Sequence, residues 1–382
     1  MNITKGILRV ASRTLCLVAI SVALIGVSSG KLRADTIVTV AGSPTAFTGR
    51  AAYGDGGLAT AANLGYPDDV DVDGAGNLYI GCQGCTSGSY PNAIRKVTRA
   101  TSLISTLGRV DHTGPAWIGH SASGDIYYLS YEMVFKLTAS GSSVLVAGGS
   151  GSSCSLAVTG LPATSVNLGL CSTRDFAVDP SASGDIYIAV ATPGKVFKVS
   201  GGLMTTVYDN SGPAGVAGSS GTVISSGTLS ANPIYGIASA GDGNLYISES
   251  RRILKVDSSG AVSTVITSAD AGGAGFRSIA AFGDFIYVRS SDFRVREIFR
   301  PSSSSPYIVT VVAGNGTYGY SGDGGSPTAA SIGGAGIAIH VTTQPERRGR
   351  RGAIIPRSST VDIYLAETSQ HVVREFTLTR QR

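Results

Sequence analysis

Two aspartates stand where their carboxylates could do chemistry. Asp69 and Asp175 each open a short apolar segment of the same pattern, DVDVD in one case and DFAVD in the other. If the fold brings two carboxylates together, they can hold Ca²⁺, which prefers oxygen ligands, or divide the roles of acid and base between them. The alternative is that both are solvated charges, or that they form salt bridges with Arg174 and Arg277.

A second group of charged residues follows strand-like segments and is expected in loops. Its members are Glu132, Glu249, Arg251, Arg252, Arg289, Asp292, Glu367 and His371. Both signs of charge are present, so these loops are candidates for contact with a ligand. The candidate binding residues are Asp69, Asp175, Glu249, Arg251, Arg252, Arg289 and Glu367.

Other conspicuous residues have structural explanations. We interpret Asp73 and Asp179 as caps of tight turns, and His120 and His340, placed at that same turn position, as turn residues rather than metal ligands. The loops that contain GDGG lack the Lys-Ser/Thr ending of a phosphate-binding loop, so we interpret them as connections. The sequon that begins at Asn315 is a glycosylation site if the source is eukaryotic.

Residues 1–34 have the pattern of a secretory leader. Basic residues precede an apolar run over residues 15–27, and this run is shorter than the roughly 20 residues that a membrane-spanning helix needs. An uncleaved anchor is the alternative. Cleavage after Ala34, or near residues 28–30, would leave a single domain over residues 35–382.

Removal of the leader changes the charge of the protein. The whole chain has a net charge of +5, and residues 1–34 contain five basic residues and no acidic one, so the mature chain is neutral. Nucleic acids are bound largely through neutralised phosphates, so we expect no nucleic-acid partner. With the leader cleaved, we also expect no insertion into a membrane.

Cysteine usage agrees with export. Cys16 lies in the leader, and the other four are Cys82, Cys85, Cys154 and Cys171. An even number in a secreted chain favours disulfides, with three possible pairings. We prefer Cys154 with Cys171, which closes a Ser/Gly-rich loop and leaves Cys82 with Cys85. The C-x-x-C pair could instead be redox-active or half of a zinc site, but no second pair or histidine cluster stands near it.

Six copies of one unit must position all of these residues. Each copy contains an apolar strand, a strand with a tyrosine, a strand in which apolar residues alternate with Lys or Arg, and a strand similar to V-T-V-A-G. In five copies a Gly-Asn or Gly-Asp pair precedes the tyrosine strand, as in a hairpin turn. The anchoring tyrosines, predicted to be core residues, are Tyr79, Tyr127, Tyr187, Tyr246, Tyr287 and Tyr364.

The sixth unit lacks its last strand, and the N-terminus supplies one. The segment from Thr36 to Gly42, TIVTVAG, has no unit before it, whereas no such strand follows VVREF near the C-terminus. We predict that the two pair and close a ring of six four-stranded blades. An all-β propeller closed in this way has no exposed sheet edge between its ends.

These motifs resemble the NHL-repeat family of six-bladed β-propellers. The resemblance rests on the G-N-L-Y-I, I-x-K-V and T-V-A-G strands and on the segments GDGGLATAANLGYP and GYSGDGGSPTAASI, and it covers essentially the whole mature chain. It implies the fold rather than one activity, because NHL-like propellers include binding platforms, sensor domains and a few lyases and hydrolases. Inner strands of the family usually open with a small residue, where this chain has Asp69 and Asp175.

Two functional hypotheses follow from the resemblance and the candidate residues. The leading one is a secreted, monomeric, non-catalytic binding module that needs no cofactor and recognises a protein or a glycan through its loops. The alternative is a Ca²⁺-dependent lyase or lactonase-like hydrolase with its site at the central axis. In that case Asp69 and Asp175 would hold the metal or act as acid and base.

Overall fold

The protein is an all-β propeller. A computed structural model describes residues 33–44, 53–85, 92–110, 117–149, 151, 154, 158–169, 171–181, 183–191, 194–210, 216–217, 232–302, 304–334, 336–344, 347–348, 354–355 and 358–381. Within these ranges, six four-stranded antiparallel blades stand around one axis, which confirms the predicted fold. The described helices are short 3₁₀ turns, at Ala59–Ala61, Ala163–Ser165, Pro327–Ala329 and Thr368–Gln370. None of these turns is long enough to cross a membrane.

Each blade is built outward from the axis in the order of the predicted unit. The innermost strands are Tyr66–Val72, Trp117–His120, Thr173–Val178, Ile234–Ser239, Phe276–Phe282 and Ile337–Gln344. The second strands are Leu78–Gln83, Ile126–Ser130, Ile186–Val190, Leu245–Glu249, Phe285–Ser290 and Ser358–Glu367. The third strands are Ala93–Thr98, Met133–Leu137, Lys195–Ser200, Arg252–Val256, Val295–Phe299 and Val372–Gln381.

The outermost strands complete the blades. They are Leu103–Arg109, Ser143–Ala147, Leu203–Asp209, Val262–Thr267, Ile308–Ala313 and, for the sixth blade, Val38–Gly42. Short additional strands lie at Arg33–Ala34, Thr159–Pro162, Val216–Ala217, Arg347–Arg348 and Ile354–Ile355.

The N-terminal strand closes the ring, as the sequence predicted. Val38–Gly42 pairs antiparallel with the third strand of the sixth blade, with Val38 opposite Glu375 and Gly42 opposite Val372. Arg33–Ala34 extends this pairing along the same strand. Cleavage after Ala34 would remove these two paired residues, whereas cleavage near residues 28–30 would keep them.

The repeated tyrosines pack as core residues, with Tyr127 half-buried and the other five buried. In the first four blades a lysine of the third strand stands opposite the tyrosine and lies over its ring at 5.2–6.0 Å. In the last two blades a glutamate takes that place, and it accepts a hydrogen bond from Tyr287 or Tyr364. The charged residues that alternate with apolar ones in the third strands therefore contact the tyrosines of the neighbouring second strands, through the ring or the hydroxyl.

Each GDGG loop forms hydrogen bonds both with an outermost strand, or the residue next to it, and with a buried arginine. Gly56 donates its N–H to Ile104, and Gly324 donates its N–H to Ile37 at the equivalent place, each at 2.8 Å. Arg95 donates to Asp55 at 2.7 Å, and Arg374 donates to backbone carbonyls of the second loop. The loops act as connections between blades, in agreement with the interpretation from sequence.

The cysteines and the sequon occupy defined places. Disulfides join Cys154 to Cys171 and Cys82 to Cys85, which is the pairing that we preferred. Asn315 is exposed, and its side-chain amide donates hydrogen bonds to Ala329 and Ser331. A glycan at Asn315 stays a prediction.

Removal of the closing strand should destabilise the whole propeller. A chain that begins at Ser43 would expose the edge of the sixth blade, and we expect it to lose several kcal/mol of a total free energy of unfolding of about 5–15 kcal/mol. Urea denaturation, compared with a chain that begins at Arg33, measures the loss. An unchanged melting temperature in the shorter chain would contradict ring closure.

A point variant separates closure from the length of the chain. Gly42 has φ = +81°, and a Cβ added there would collide with the backbone of His371 and Val372 in the partner strand. Gly42→Ala should therefore cost about 1–3 kcal/mol. Gly56→Ala is the matched control, because its φ is similar (+79°) but an added Cβ meets open space.

Candidate functional site

A channel runs along the axis between the six innermost strands. Its volume is about 1010 Å³, and residues from both ends of these strands line it. One mouth opens on the face that carries the loops between second and third strands and the connections between blades, here called the loop face. The other mouth opens on the face with the tight turns, here called the turn face.

Asp69 and Asp175 both line this channel. Asp69 lies on the first blade, and its Oδ2 accepts the N–H of Ile118 from the second blade at 3.1 Å. Asp175 lies on the third blade, and its Oδ2 accepts the N–H of Ile237 from the fourth at 2.9 Å. The two side chains therefore join neighbouring blades at equivalent seams, a role that a small residue cannot fill.

The surroundings of the two carboxyls favour their protonated forms. Burial in the channel wall raises the pKa of Asp175 to about 7, against the effect of two backbone hydrogen bonds. Burial also raises the pKa of Asp69 well above its usual range, and the negative charge of Asp175 raises it further. Both carboxyls are therefore less readily ionised at neutral pH than an ordinary aspartate.

This donor set does not fit a calcium ion. Ca²⁺ takes six to eight oxygen ligands and favours ionised carboxylates. Burial raises the pKa of both Asp69 and Asp175, and oxygens of each already accept backbone N–H groups. In the described part of the chain, no group of three or more Asp, Glu, His or Cys side chains is placed to hold a metal.

Three of the predicted loop residues lie inside the protein instead of on a binding surface. Glu249 is fully buried, and it accepts hydrogen bonds from Arg252 at 2.5 Å and from Tyr208 at 2.7 Å. Glu367 is also fully buried and is paired with Arg374 at 2.6 Å. Glu249 thereby joins the third and fourth blades through Tyr208, and Glu367 pairs within the sixth blade and accepts the N–H of Gly333 from the connection before it.

The other two candidate binding residues of the loops, Arg251 and Arg289, have different positions. Arg251 is exposed next to the buried Arg252. Arg289 is buried and lines the channel, where it donates to the carbonyl of Gly333 at 2.7 Å. Burial lowers the pKa of Arg289 to about 10, and the positive charge of Arg277 contributes in the same direction. The structure therefore places Arg289 around one channel with Asp69 and Asp175. Glu367 lies behind Arg289, since both side chains bond Gly333, whereas Glu249 and Arg252 are not among the residues that line the channel.

Arginines and aromatic residues surround the channel at the loop face. We call Trp117, Arg174, Tyr235 and Arg277 the arginine mouth, and all four line the channel. The guanidinium of Arg277 lies 4.1 Å from the centre of the Tyr235 ring. In the described part of the chain, neither Arg174 nor Arg277 forms an ion pair with Asp69 or Asp175, so the predicted salt bridges are absent.

The sequence had offered these arginines only as salt-bridge partners of the aspartates. A usable signal was their position, because each is the second residue of its innermost strand and lies three residues before the residue that pairs with the tyrosine of its blade. Six such positions meet at one mouth in a closed ring. Trp117 and Tyr235 had no comparable signal.

Backbone strain is concentrated on the loop face. Among the described residues, six non-glycine residues have positive φ angles, and five of these lie in its loops. These five are Tyr131, Glu132, Ser172, Phe293 and His371. Left-handed conformations in residues other than glycine cost free energy, and they cluster at functional sites.

The interpretation of the histidines as turn residues is wrong. Ser121, whose N–H bonds the carbonyl of Asp125, occupies the turn position, and His120 lies one residue earlier. Its Nδ1 is 2.6 Å from Oδ2 of Asp71 in the first blade. His340 lies within a continuous hairpin opposite Asp362, because the innermost and second strands of the sixth blade extend beyond the usual turn.

Asp73 does cap its turn, as expected. Its carboxylate accepts the N–H groups of Ala75 and Asn77 and the hydroxyl of Tyr79. Asp179 accepts the N–H of Ser181 in the same way.

Solved structures with a similar fold have little sequence in common with this chain. A structural genomics protein of unknown function from Bacteroides thetaiotaomicron is 12% identical, with a TM-score of 0.55 over 91% of this chain and 76% of that one. Virginiamycin B lyase from Staphylococcus aureus is 12% identical, with a TM-score of 0.48 over 91% and 99%. Regucalcin from Agrobacterium tumefaciens, a calcium-binding protein, is 13% identical, with a TM-score of 0.48 over 84% and 93%.

These similarities extend to the fold alone. The lyase activity and the calcium binding belong to those proteins. No protein-family model and no curated protein sequence matches this chain. The NHL-repeat assignment therefore stays a prediction from the motifs.

The raised pKa of Asp175 predicts that stability falls as the pH rises. Folded Asp175 keeps its proton up to about pH 7, whereas an unfolded aspartate loses it near pH 4, so the folded state binds more protons between these values. The free energy of unfolding should therefore decrease from about pH 4 to about pH 7. In urea denaturation at pH 5 and pH 8, Asp175→Ala should lose less stability between the two than the wild type, by on the order of 2 kcal/mol.

The exposed Asp270 supplies a matched control for this experiment. Asp270→Ala should keep the pH dependence of the wild type. The same pH dependence in Asp175→Ala and the wild type would show that Asp175 ionises normally in the folded protein.

Proposed function

We propose that this protein is a secreted, non-catalytic binding module that holds an acidic glycan in its central channel. The observation that carries the proposal is the arginine mouth, where Arg174 and Arg277 border a channel of about 1010 Å³ without a carboxylate paired to either one in the described part of the chain. The binding site of this proposal is therefore the axis, not the loops that the sequence favoured.

Charge at the mouth favours an anionic group. Arg174 is exposed and Arg277 half-buried, and Arg289 adds a third positive charge deeper in the wall. Guanidinium groups bind carboxylates through two parallel hydrogen bonds, which gives both attraction and orientation. Burial raises the pKa of Asp69 and Asp175, the acidic residues on the same side of the channel, which reduces the negative charge that they place near Arg174 and Arg277.

The shape of the site favours a glycan over a protein. A channel of this volume is within the size of small-ligand pockets, and it admits a narrow chain rather than a folded surface. Trp117 and Tyr235 border the mouth with flat aromatic rings, against which the apolar face of a sugar ring can pack. A uronic acid combines such a ring with a carboxylate.

The Ca²⁺-dependent lyase or hydrolase has less support from the described residues. Its two proposed ligands bond backbone N–H groups across blade seams and resist ionisation. We therefore assign Asp69 and Asp175 to the architecture of the channel.

Secretion is supported by two independent features. The first is the leader pattern of residues 1–34, which lies outside the described residues except for Arg33–Ala34. The second is the pair of disulfides, which form in oxidising compartments.

Calorimetric titration with defined oligosaccharides tests the proposal. We expect the wild type to bind a trisaccharide of one glucuronic acid and two xylose units, and to bind neutral xylotriose at least tenfold more weakly. Arg277→Ala should weaken binding of the acidic trisaccharide about tenfold, because a charge-assisted hydrogen bond is lost. Arg109→Ala is the matched control, since Arg109 is exposed at the end of an outermost strand away from the channel.

Two outcomes would contradict the proposal. Equal binding of the acidic and neutral trisaccharides would show that the arginines do not select the ligand. Binding that survives Arg277→Ala and Arg174→Ala but fails in a loop variant such as Arg251→Ala would move the site to the loop surface and favour a protein partner.

A further inference from the structure

A histidine at the turn face has the geometry of a second anchor in the same channel. His120 lines the channel, and its side chain is 17% exposed. Asp71 on the adjacent blade holds Nδ1 at 2.6 Å, and the other oxygen of Asp71 accepts the N–H of Val72. A carboxylate only accepts hydrogen bonds, so Nδ1 carries a proton, and Nε2 is an acceptor in the neutral ring and a donor in the protonated ring.

The remaining polar groups at this mouth are engaged with one another. The carboxylate of Asp73 accepts hydrogen bonds from its own turn and from Tyr79. His340 lies between Asp362 and the carbonyl of Gly74, at 3.4 Å from each. For His120, by contrast, no described residue lies within hydrogen-bond distance of Nε2, so this atom is available to a molecule in the channel.

The strand register gives the distance between His120 and the arginine mouth. Gly119 and Ala280 hold equivalent positions, since each stands opposite the tyrosine of its blade. His120 follows this position by one residue, and Arg277 precedes it by three. Four residues separate their levels along the axis, but the register of the fifth blade shifts between Phe276 and Ile279, where three steps of the innermost strand match two of its partner. The separation is therefore that of about three residues of regular strand, or about 10 Å at about 3.3 Å per residue. Their blades, the second and the fifth, face each other across the channel.

We propose that His120 binds the far end of the ligand whose acidic group lies at the arginine mouth. The inference rests on the proposed function and adds the length of the ligand. A single uronic acid cannot reach both anchors, whereas a trisaccharide can. The group at His120 is a sugar hydroxyl, because a hydroxyl can donate to Nε2 when the ring is neutral and accept from it when the ring is protonated. Asp71 is a positioning residue that fixes the ring.

Titration with ligands of two lengths tests this assignment. The probes are glucuronic acid and the trisaccharide of one glucuronic acid and two xylose units. His120→Ala should weaken binding of the trisaccharide about fivefold to tenfold, which is the value of one hydrogen bond, and should leave binding of glucuronic acid unchanged. His120→Gln keeps a polar group and should lose less, and His340→Ala, a histidine at the same mouth, should match the wild type.

The outcomes separate this inference from the proposed function. If both probes bind in an Arg277-dependent manner and His120→Ala changes neither or weakens both equally, the second anchor is wrong and the arginine mouth remains. If the wild type binds neither probe, the proposed function and this inference both fail. Circular dichroism spectra and melting curves of His120→Ala and His120→Gln check that the fold is intact.

Discussion

Ring closure is the constraint on which the rest of the structure depends. The pairing of Val38–Gly42 with Val372–Gln381 joins the two ends of the chain in one sheet. Only after this pairing do the innermost strands of the first and sixth blades lie side by side and complete the wall of the channel. The site is therefore a product of contacts between residues more than 300 positions apart in the chain.

Closure also explains where the buried charges are placed. Thr39 in the closing strand donates its N–H and its hydroxyl to Asp323, and Arg374 on the partner strand reaches the same loop. Arg95 and Asp55 repeat the arrangement in the first blade. Arg374 also pairs with Glu367, and both side chains are fully buried, so removing either one would leave an uncompensated buried charge and strongly destabilise the fold. The buried arginines and their carboxylate partners therefore stabilise the contacts between blades and are not available to a ligand.

The channel has a different electrostatic character from the seams. Burial raises the pKa of Asp69 and Asp175, the two carboxyls on the loop-face side of the channel. A ligand that enters from that face meets the arginines first and these two carboxyls next. His120, fixed by Asp71, is the polar group at the opposite end. The two mouths of the channel therefore carry different groups, arginines at the loop face and a histidine at the turn face, so a bound ligand has a defined orientation.

The sequence predicts the fold well because each blade is a local pattern. The tyrosine hairpins, the strand order and the closing strand follow from spacing and periodicity alone, whereas the disulfide pairing was a preference among three that the structure confirms. The site is predicted only in part. Asp69, Asp175 and Arg289 do line the channel, but nothing in the sequence separates Arg251, which is exposed, from Arg252, which is buried against Glu249.

The misplaced residues share one physical cause. From the sequence, His120 was expected at the turn position that Ser121 occupies, one residue further along the chain. The prediction is wrong because the register of a strand is fixed by its partner and not by its own sequence. Glu249 and Glu367 looked like loop charges because their buried partners come from other strands or from the far side of a turn. Contacts across blade seams leave no local pattern, and most of the site is made of them.

A crystal structure of the complex with the glucuronic acid-ended trisaccharide would test the central claim most directly. The account predicts that the carboxylate bonds Arg174 or Arg277 at the loop face and that the sugar chain runs along the axis toward His120. A trisaccharide bound on the outer strands of the blades, or one whose carboxylate points to the turn face, would contradict it.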